Sequence, residues 1–250
     1  MSGHSKWSTI KHKKSKEDAK RGKLFGKLSR AIMVAARNGS NPDMNAALAN
    51  AIEKAKSFSM PAENIERAIK RGAGELAADS YEELTYEGFG PAGVAIMVEV
   101  MTDNRNRTAS DIRHLFTKYG GSLGTAGSVA WMFDRKGTIA VDKSHPIDED
   151  ELFSLAVEAG AEDMTSEDDQ WQIVTDPAEF HFVKNVIEKH GIPIAHAEIA
   201  MIPKNPVELS KEDAAKVLKL VDALEDNDDV QDVYSNFDIP ADVLEELTST

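Results

Sequence analysis

The 250-residue sequence contains no cysteine. This absence excludes a disulfide framework, a thiol nucleophile and any zinc or iron–sulfur site built on cysteine, and it agrees with a reducing compartment. No run of about 18 apolar residues is present, so we expect no membrane-spanning helix. The basic N-terminal segment also lacks the apolar region of a signal peptide. Together these absences predict a cytoplasmic protein.

Patterns that would indicate catalysis or metal binding are missing as well. The seven histidines form no H-E-x-x-H or similar pair, and no nucleophile, acid and base are spaced as in a catalytic motif. Acidic runs at residues 148–151 and 167–169 lack the spacing of an EF-hand, so we interpret them as solvated surface. The sequence therefore predicts no catalytic residue, no metal site, no cofactor and no small-molecule substrate, and we do not expect an enzyme.

Two glycine-rich segments have the composition of phosphate-binding loops. Residues 88–93 match G-x-G-x-x-G, but they contain Pro91 and precede a strand rather than a helix, so we interpret them as a turn and not a dinucleotide site. Residues 120–127 could present backbone N–H groups to a phosphate, but no Lys-Ser or Lys-Thr follows, which excludes a P-loop. We favour a flexible loop there, and anion binding stays open as the alternative.

Charge is distributed unevenly along the chain. Residues 1–37 contain eleven Lys or Arg and two acids, a net of +9, whereas the whole chain carries −14. Residues 38–250 therefore carry a net charge of −23. So dense a basic segment favours binding to nucleic-acid phosphates, and a solubilising tail is the alternative.

The spacing of apolar residues predicts a small helical domain in residues 1–76. Helices are expected at residues 17–38, 44–57 and 61–72, because apolar residues recur there at helical spacing and glycines mark the ends. Residues 1–16 show no apolar period. We expect this basic arm to be extended or mobile when nothing is bound.

From Tyr81 onwards, strand-like runs and glycine turns replace the lysine-rich helices. The predicted elements are strands at 81–87 and 94–102, a helix at 105–119, and a half-buried strand in which Val129, Trp131 and Phe133 alternate. Residues 138–202 then follow the order β-α-β-β-α-β of a ferredoxin-like unit, whose second helix (177–190) begins with a capping box of Asp176 and Glu179. A helix capped by Ser210, a strand at 230–237 and a short helix from Pro240 complete the prediction.

The fold class follows from which segments can complete a sheet. Residues 77–134 alone and 207–250 alone do not close one, but together they make an α+β sandwich. We therefore predict an α+β multidomain protein, with an N-terminal three-helix domain (1–76) followed by two α/β sandwich domains. The last of these, the ferredoxin-like domain (135–206), is inserted into a discontinuous middle domain (77–134 and 207–250).

Two groups of residues are candidates for phosphate contact. In the first, the cations of the arm and first helix accompany Trp7, which could stack on an unpaired base. The second lies where strand 94–102 meets the next helix, because helix N-termini favour anions; helix capping and a local Asp103–Arg pair are an equal alternative. The candidate nucleic-acid-binding residues are His4, Lys6, Trp7, Lys11, His12, Lys13, Lys14, Lys16, Lys20, Arg21, Lys23, Lys27, Arg30, Arg105 and Arg107.

Several long blocks of the sequence resemble the YebC/PmpR family. They are the opening GHSKW (3–7), KHKK (11–14), DAKRGK (18–23), NIERAIKRGAG (64–74), YEG (86–88), TDNRNR (102–107), GSVAW (127–131) and KLVDALED (219–226). Small departures are Ala92, where the family pattern has a further glycine, and an abbreviated region at 39–45. The resemblance implies three domains and a cytoplasmic, DNA-binding transcriptional regulator without catalytic residues. It also implies a link to translation, because mitochondrial relatives are translational activators and bacterial members have been linked to the ribosome.

The sequence therefore supports two hypotheses about function. The leading hypothesis is a non-enzymatic nucleic-acid-binding regulatory protein, a DNA-binding transcriptional regulator that uses its basic arm. The alternative is a ribosome-associated translation factor that binds ribosomal or transfer RNA through the same arm. No recognition helix for a major groove is evident, so neither hypothesis includes base-specific readout. The sequence leaves the oligomeric state open.

Overall fold

A computed structural model describes residues 18–76, 80–167, 169–240 and 243 of the chain. The prediction of an extended arm at residues 1–16 therefore lies outside the described residues, as does most of the predicted terminal helix after Pro240. No helix in the described part of the chain combines the length and apolar character that a bilayer crossing requires.

Three helices form the N-terminal domain: α1 (Asp18–Ala36), α2 (Ala46–Ser57) and α3 (Ala62–Gly72). Their shared core includes Ile32, Leu48 and Ala55, all fully buried. Asn45 is placed to fix the first connection, because its side-chain oxygen caps α2 while its amide group donates to the carbonyls that end α1. The predicted three-helix domain is present, with boundaries within two residues or so of the expected ones.

The middle unit is a four-stranded sheet with the order β3-β1-β2-β9. Its strands are β1 (Glu82–Phe89), β2 (Ala95–Thr102), β3 (Ser122–Leu123) and, from much later in the sequence, β9 (Val230–Ser235). Two helices, α4 (Arg105–Lys118) and α7 (Lys211–Glu225), contribute to the core on one face of this sheet. The central strand β2 is almost entirely buried, as its continuous apolar run predicts.

The third unit contains β4 (Phe133–Asp142), α5 (Glu149–Glu158), β5 (Ala161–Ser166), β6 (Gln170–Thr175), α6 (Phe180–Lys189) and β7 (Ile194–Pro203). Its antiparallel sheet has the order β5-β6-β4-β7, and both helices pack against the Ile139, Val141 and Ile173 side of it. This order is the one expected of the ferredoxin-like arrangement. In a small parallel pair, β8 (Val207–Glu208) precedes α7 and pairs with β10 (Phe237–Asp238), which follows β9.

Three local predictions were wrong. The segment around Trp131 is a 3₁₀ turn (Ala130–Met132), not a strand with alternating burial, and the Trp131 side chain is exposed while Val129 and Phe133 are buried. Helix α6 begins at Phe180, and Asp176 instead accepts the N–H of Ala178 in a preceding turn, so Asp176 and Glu179 form no capping box. Strand β1 continues through two of the residues expected to turn. In the first two cases a short turn replaces part of the expected periodic element, and in the third the pairing of β1 with β2 extends into the expected turn.

The tight turn between β1 and β2 places Ala92 in the left-handed region, with φ 57°. This conformation suits glycine and costs an alanine side chain about 1 kcal/mol. Ala92 therefore introduces a small backbone strain into this turn.

Ion pairs of α2 join the three units. Lys54 Nζ lies 2.7 Å from Asp232 on β9, and Glu53 pairs with Lys184 on α6. Burial alone would lower the pKa of Lys54, but the carboxylates of Asp232, Glu198 and Glu99 outweigh it and raise this pKa. The helical domain is thus held by charge against both of the sheet units.

The crossing of α1 and α3 yields a test of the packing. A Cβ added at Gly72 would lie 2.7 Å from the Cβ of Ala36 and still closer to the Met33 carbonyl, whereas Gly26 on α1 has no atom within 4 Å of an added Cβ. We predict that Gly72→Ala lowers the free energy of unfolding by about 2 kcal/mol because backbones must move apart. The control Gly26→Ala should raise it by about 0.5–1 kcal/mol. Chemical denaturation measures both, and equal effects would contradict the close helix crossing.

Candidate nucleic-acid interface

The predicted interface residues divide into three groups in the structure. His4, Lys6, Trp7, Lys11, His12, Lys13, Lys14 and Lys16 lie outside the described residues, and their role stays a prediction. Lys20, Arg21, Lys23, Lys27 and Arg30 belong to α1. Arg105 and Arg107 occupy the first turn of α4. One short acidic segment, residues 225–229, which we call the acidic turn, is contacted by Lys23, Lys27 and Arg30 of the second group and by Arg107 of the third.

Three cations of α1 contact the acidic turn. Lys27 Nζ donates to the Glu225 carbonyl and Arg30 to the Asp228 carbonyl. Lys23 Nζ lies 3.4 Å from the Asp226 carbonyl and 3.7 Å from the Asp228 carboxylate. Lys27 and Arg30 therefore point towards the protein itself, whereas Lys23 remains exposed at the edge of the contact.

The geometry has a simple electrostatic cause. Helix α7 ends at Glu225 and carries no basic residue in its last turn, although the C-terminal end of a helix is its negative end. The unpaired carbonyls there need donors, and α1 supplies them from another domain. Burial of Lys27 lowers its pKa to about 8 despite the opposing effect of Glu225 and Asp232. The contact thus supplies a donor to the carbonyl that ends α7, and in return the charged form of Lys27 becomes less favourable.

The junction of β2 and α4 is organised by Asp229, which is 6% exposed. One of its carboxylate oxygens accepts hydrogen bonds from Arg107 (2.9 Å), Thr108 (2.7 Å) and Thr102 (3.2 Å). Although burial opposes ionisation, these donors lower the pKa of Asp229. Arg30 lies 3.9 Å from the other oxygen. The carboxylate of Asp229 therefore occupies the position at which the sequence suggested contact with a phosphate.

Capping by Asn104 completes this junction. Its side-chain oxygen accepts the N–H of Arg107, and Arg107 also pairs with Asp103 at 2.9 Å. Both features agree with the structural alternative proposed for residues 102–107. Arg105 is exposed at the first residue of α4, and its charge partly offsets the effect of burial, which raises the pKa of Tyr86. The two arginines therefore have different surroundings despite their spacing.

The glycine-rich loop after α4 is bound by a buried carboxylate. Glu87 on β1, 7% exposed, accepts N–H groups from Gly127 (2.7 Å), Val129 (2.8 Å) and Ala130 (2.8 Å). These three donors lower the pKa of Glu87 against the opposing effect of burial. Because Glu87 uses these N–H groups, they are not available to a phosphate in this conformation. The loop is an ordered receptor for a side chain of the protein.

Sequence reasoning missed the residues that organise these contacts. The acidic turn was visible as a charged run, Glu225-Asp226-Asn227-Asp228-Asp229, but nothing in the sequence linked it to α1. Glu87 gave no signal at all, because a single acid in a strand usually faces solvent. Within the described residues, no group of three His, Asp or Glu side chains could hold a metal ion.

Two family models match the chain. The model of the TACO1/YebC protein N-terminal domain covers residues 5–75, and the model of the TACO1/YebC second and third domain covers residues 81–237. The chain belongs to the TACO1/YebC family. The boundary between the two matches falls where the helical domain ends.

Full-length relatives support the same assignment. A protein of Halothermothrix orenii is 58% identical over 251 residues, with 99% of each chain covered, and one of Dictyoglomus thermophilum is 56% identical over 249 residues, with 99% and 100% covered. Both are named probable transcriptional regulatory protein. The crystal structure of a conserved hypothetical protein from Aquifex aeolicus, 52% identical, aligns with a TM-score of 0.78 over 89% of this chain and 92% of that one. The α+β multidomain fold is therefore that of a TACO1/YebC protein.

Glu87 yields a test of the ordered loop. In Glu87→Gln the side-chain NH₂ meets backbone N–H groups that need an acceptor, so we predict a loss of about 3 kcal/mol in the free energy of unfolding. Glu83→Gln, an exposed change on the same strand, is the matched control and should alter stability by less than about 0.5 kcal/mol.

The pH dependence of this loss has a definite sign. Because folding lowers the pKa of Glu87, its stabilising effect is present above the unfolded pKa and disappears as pH falls through the folded pKa. The difference between wild type and Glu87→Gln should therefore shrink on acidification below about pH 4.5. A difference that stays constant down to pH 2 would contradict an ionised Glu87 as the loop's acceptor.

Proposed function

We propose that this TACO1/YebC protein is a non-enzymatic regulatory protein that binds nucleic acid through its basic N-terminal segment, and that it acts as a DNA-binding transcriptional regulator. The names of its relatives support a regulatory role. The observation that carries the binding mode is the separation of charge: residues 1–37 carry +9 and the rest of the chain carries −23. By net charge, the basic segment attracts a polyanion and the remainder of the chain repels it.

The placement of α1 supports this role for the preceding residues. Since Lys23, Lys27 and Arg30 contact the acidic turn, the helix has a fixed orientation on the body of the protein. The seven basic residues from Lys6 to Arg21 in the sequence precede that anchored part of α1. They add seven positive charges to the segment, and phosphate neutralisation by such a segment releases counterions.

A second candidate is binding to structured RNA, including that of the ribosome. The observation in its favour is the charge of −23 on residues 38–250. A long duplex passes close to any protein surface beside its site and is repelled by acids there, whereas a folded RNA pocket can receive the basic segment alone. The two candidates share the same cations, so the ligand and not the binding residues distinguishes them.

The basic segment is tested by charge reversal. We predict that Lys11, Lys13 and Lys14 changed together to Glu weaken binding to a duplex DNA of about 30 base pairs by at least tenfold, and reduce the slope of log K against log salt, because fewer counterions are released. The matched control changes Lys118, Lys189 and Lys219, exposed lysines of the acidic body, to Glu. It alters net charge equally and should bind within about threefold of wild type.

Parallel titrations distinguish the candidates. Fluorescence anisotropy with the duplex and with a transfer RNA, together with co-sedimentation with ribosomes at low salt, shows which ligand depends on the three lysines. Equal losses in the arm variant and the control would mean that net charge alone matters. Salt-independent binding to both nucleic acids would contradict the proposal.

The acidic turn is expected to compete with nucleic acid for α1. In the variant Asp226→Asn with Asp228→Asn, the pull on Lys23 weakens, so we predict an affinity for the same duplex about three- to tenfold higher than that of wild type. Glu151→Gln with Glu158→Gln removes two charges from the exposed side of α5 and serves as control. A gain no larger than that of the control would show that the α1 cations take no part in binding.

A further inference from the structure

Trp131 is the large aromatic side chain that the structure leaves most exposed, at 64%. Leaving so much indole surface in water forgoes the stabilisation that burial would bring, about 25 cal/mol for each Å². A single exposed apolar side chain needs no explanation by itself. What makes Trp131 informative is how firmly its surroundings hold it in place.

Hydrogen bonds hold Trp131 at its ring nitrogen and hold the backbone of the two residues before it. Its Nε1–H donates to the carbonyl of Ser128 at 3.1 Å. The N–H groups of Val129 and Ala130, directly before it, donate to the buried carboxylate of Glu87. The 3₁₀ turn that carries Trp131 lies between Val129 and Phe133, whose side chains are both in the core. The ring is therefore presented on an ordered turn, and little ordering would remain when a ligand binds.

The rest of the loop leaves little room for change. A Cβ on Gly124 would lie 2.5 Å from Ser128 Oγ, and one on Gly121 would lie 2.6 Å from the Phe89 carbonyl. Burying the charge of Glu87 also requires all three N–H donors to stay in place. These constraints fix the loop in one conformation, in which the Trp131 ring is exposed at the surface.

The chemistry that remains available at Trp131 limits its ligand. The ring nitrogen is already used, and the neighbouring N–H groups bind Glu87, so the site offers a flat π surface and no directed donor for a ligand. A nucleobase that is not paired within a duplex matches such a surface, because stacking on an aromatic ring is tolerant of base identity and needs no hydrogen bond. Lys204 joins the same turn through its N–H bond to the Met132 carbonyl, and its half-exposed side chain adds a cation nearby that also pairs with Asp134.

We propose that the Trp131 ring is a stacking platform for an unpaired base of a single-stranded nucleic acid. This inference rests on the proposed nucleic-acid-binding function and adds a second contact, on the body of the protein, to the one made by the basic segment. It assigns single-stranded or unpaired regions as the ligand that the body contacts, because bases inside a duplex have no free face. The cations of the arm alone would not discriminate between paired and unpaired strands, because they contact phosphates.

The test uses the full chain in a Trp7→Phe background. The protein has three tryptophans, and Trp171 is 6% exposed, so Trp131 becomes the exposed fluorophore. The probes are oligo(dA) of about 20 nucleotides and its blunt duplex with oligo(dT), at one salt concentration. We expect the single strand to quench Trp131 emission and the duplex to leave it nearly unchanged. Trp131→Ala should weaken binding of the single strand about tenfold and leave duplex binding unaltered.

Two controls separate stacking from damage to the fold. Trp131→Phe keeps an aromatic face and should recover most of the lost affinity. Thermal unfolding of Trp131→Ala should resemble that of its parent, because the substituted ring is exposed and Glu87 keeps its three donors. A substitution that only loosened the loop would weaken duplex and single strand together.

The outcomes also separate this proposal from the function on which it rests. If the parent binds the single strand and Trp131→Ala binds it equally well, the stacking platform is wrong while binding by the basic segment stands. If the wild-type chain binds neither probe and no transfer RNA, the proposed function fails, and the stacking platform fails with it. Quenching of equal size by the duplex would also overturn the assignment to unpaired bases.

Discussion

The contact between the basic face of α1 and the acidic turn after α7 determines how the domains are arranged. Asp229 is at its centre, because it receives Arg107, Thr108 and Thr102 on one oxygen and lies near Arg30 on the other side. One carboxylate thereby links α1 to the end of β2 and the start of α4. Without the contact between α1 and the acidic turn, the carbonyls at and just after the end of α7 would lose the donors that Lys27 and Arg30 supply. The helical domain would also lose a highly charged point of attachment.

This contact also restricts how the protein can meet a polyanion. The cations nearest the body already face carbonyls and carboxylates, so a phosphate must replace them or use the residues that precede Lys23. Replacement involves the exchange of one set of anions for another and is close to balanced in energy, whereas cations without such partners bind phosphates with the full gain from counterion release. If nucleic acid binds as proposed, the basic residues that precede Lys23 are therefore expected to make the strongest phosphate contacts.

The sequence predicted the domain elements well and the contacts between them poorly. Apolar periodicity located α1, α2 and α3, and the continuous run from Val94 identified the central strand, because local spacing reflects which face of an element is buried. The domain boundaries themselves stay a prediction. The partners of Asp229 and Glu87 could not be predicted, because they lie between about 40 and 130 residues apart in sequence. Trp131 was mistaken for part of a strand, since Val129 and Phe133 are buried on both sides of it and alternation alone does not reveal a 3₁₀ turn.

Glu87 and Asp229 are both buried carboxylates, and the protein stabilises their charges in different ways. The difference bears on function. Asp229 is neutralised by a nearby guanidinium and two hydroxyls, so its site is an ion pair whose strength depends on Arg107. Among the described residues, Glu87 accepts hydrogen bonds from backbone N–H groups and from no side-chain cation. A backbone cradle holds its loop whatever anions approach the protein, because no side-chain cation there can be drawn away. If a nucleic acid binds as proposed, the turn bearing Trp131 is therefore expected to keep its shape, whereas the α1 contact is open to exchange with phosphates.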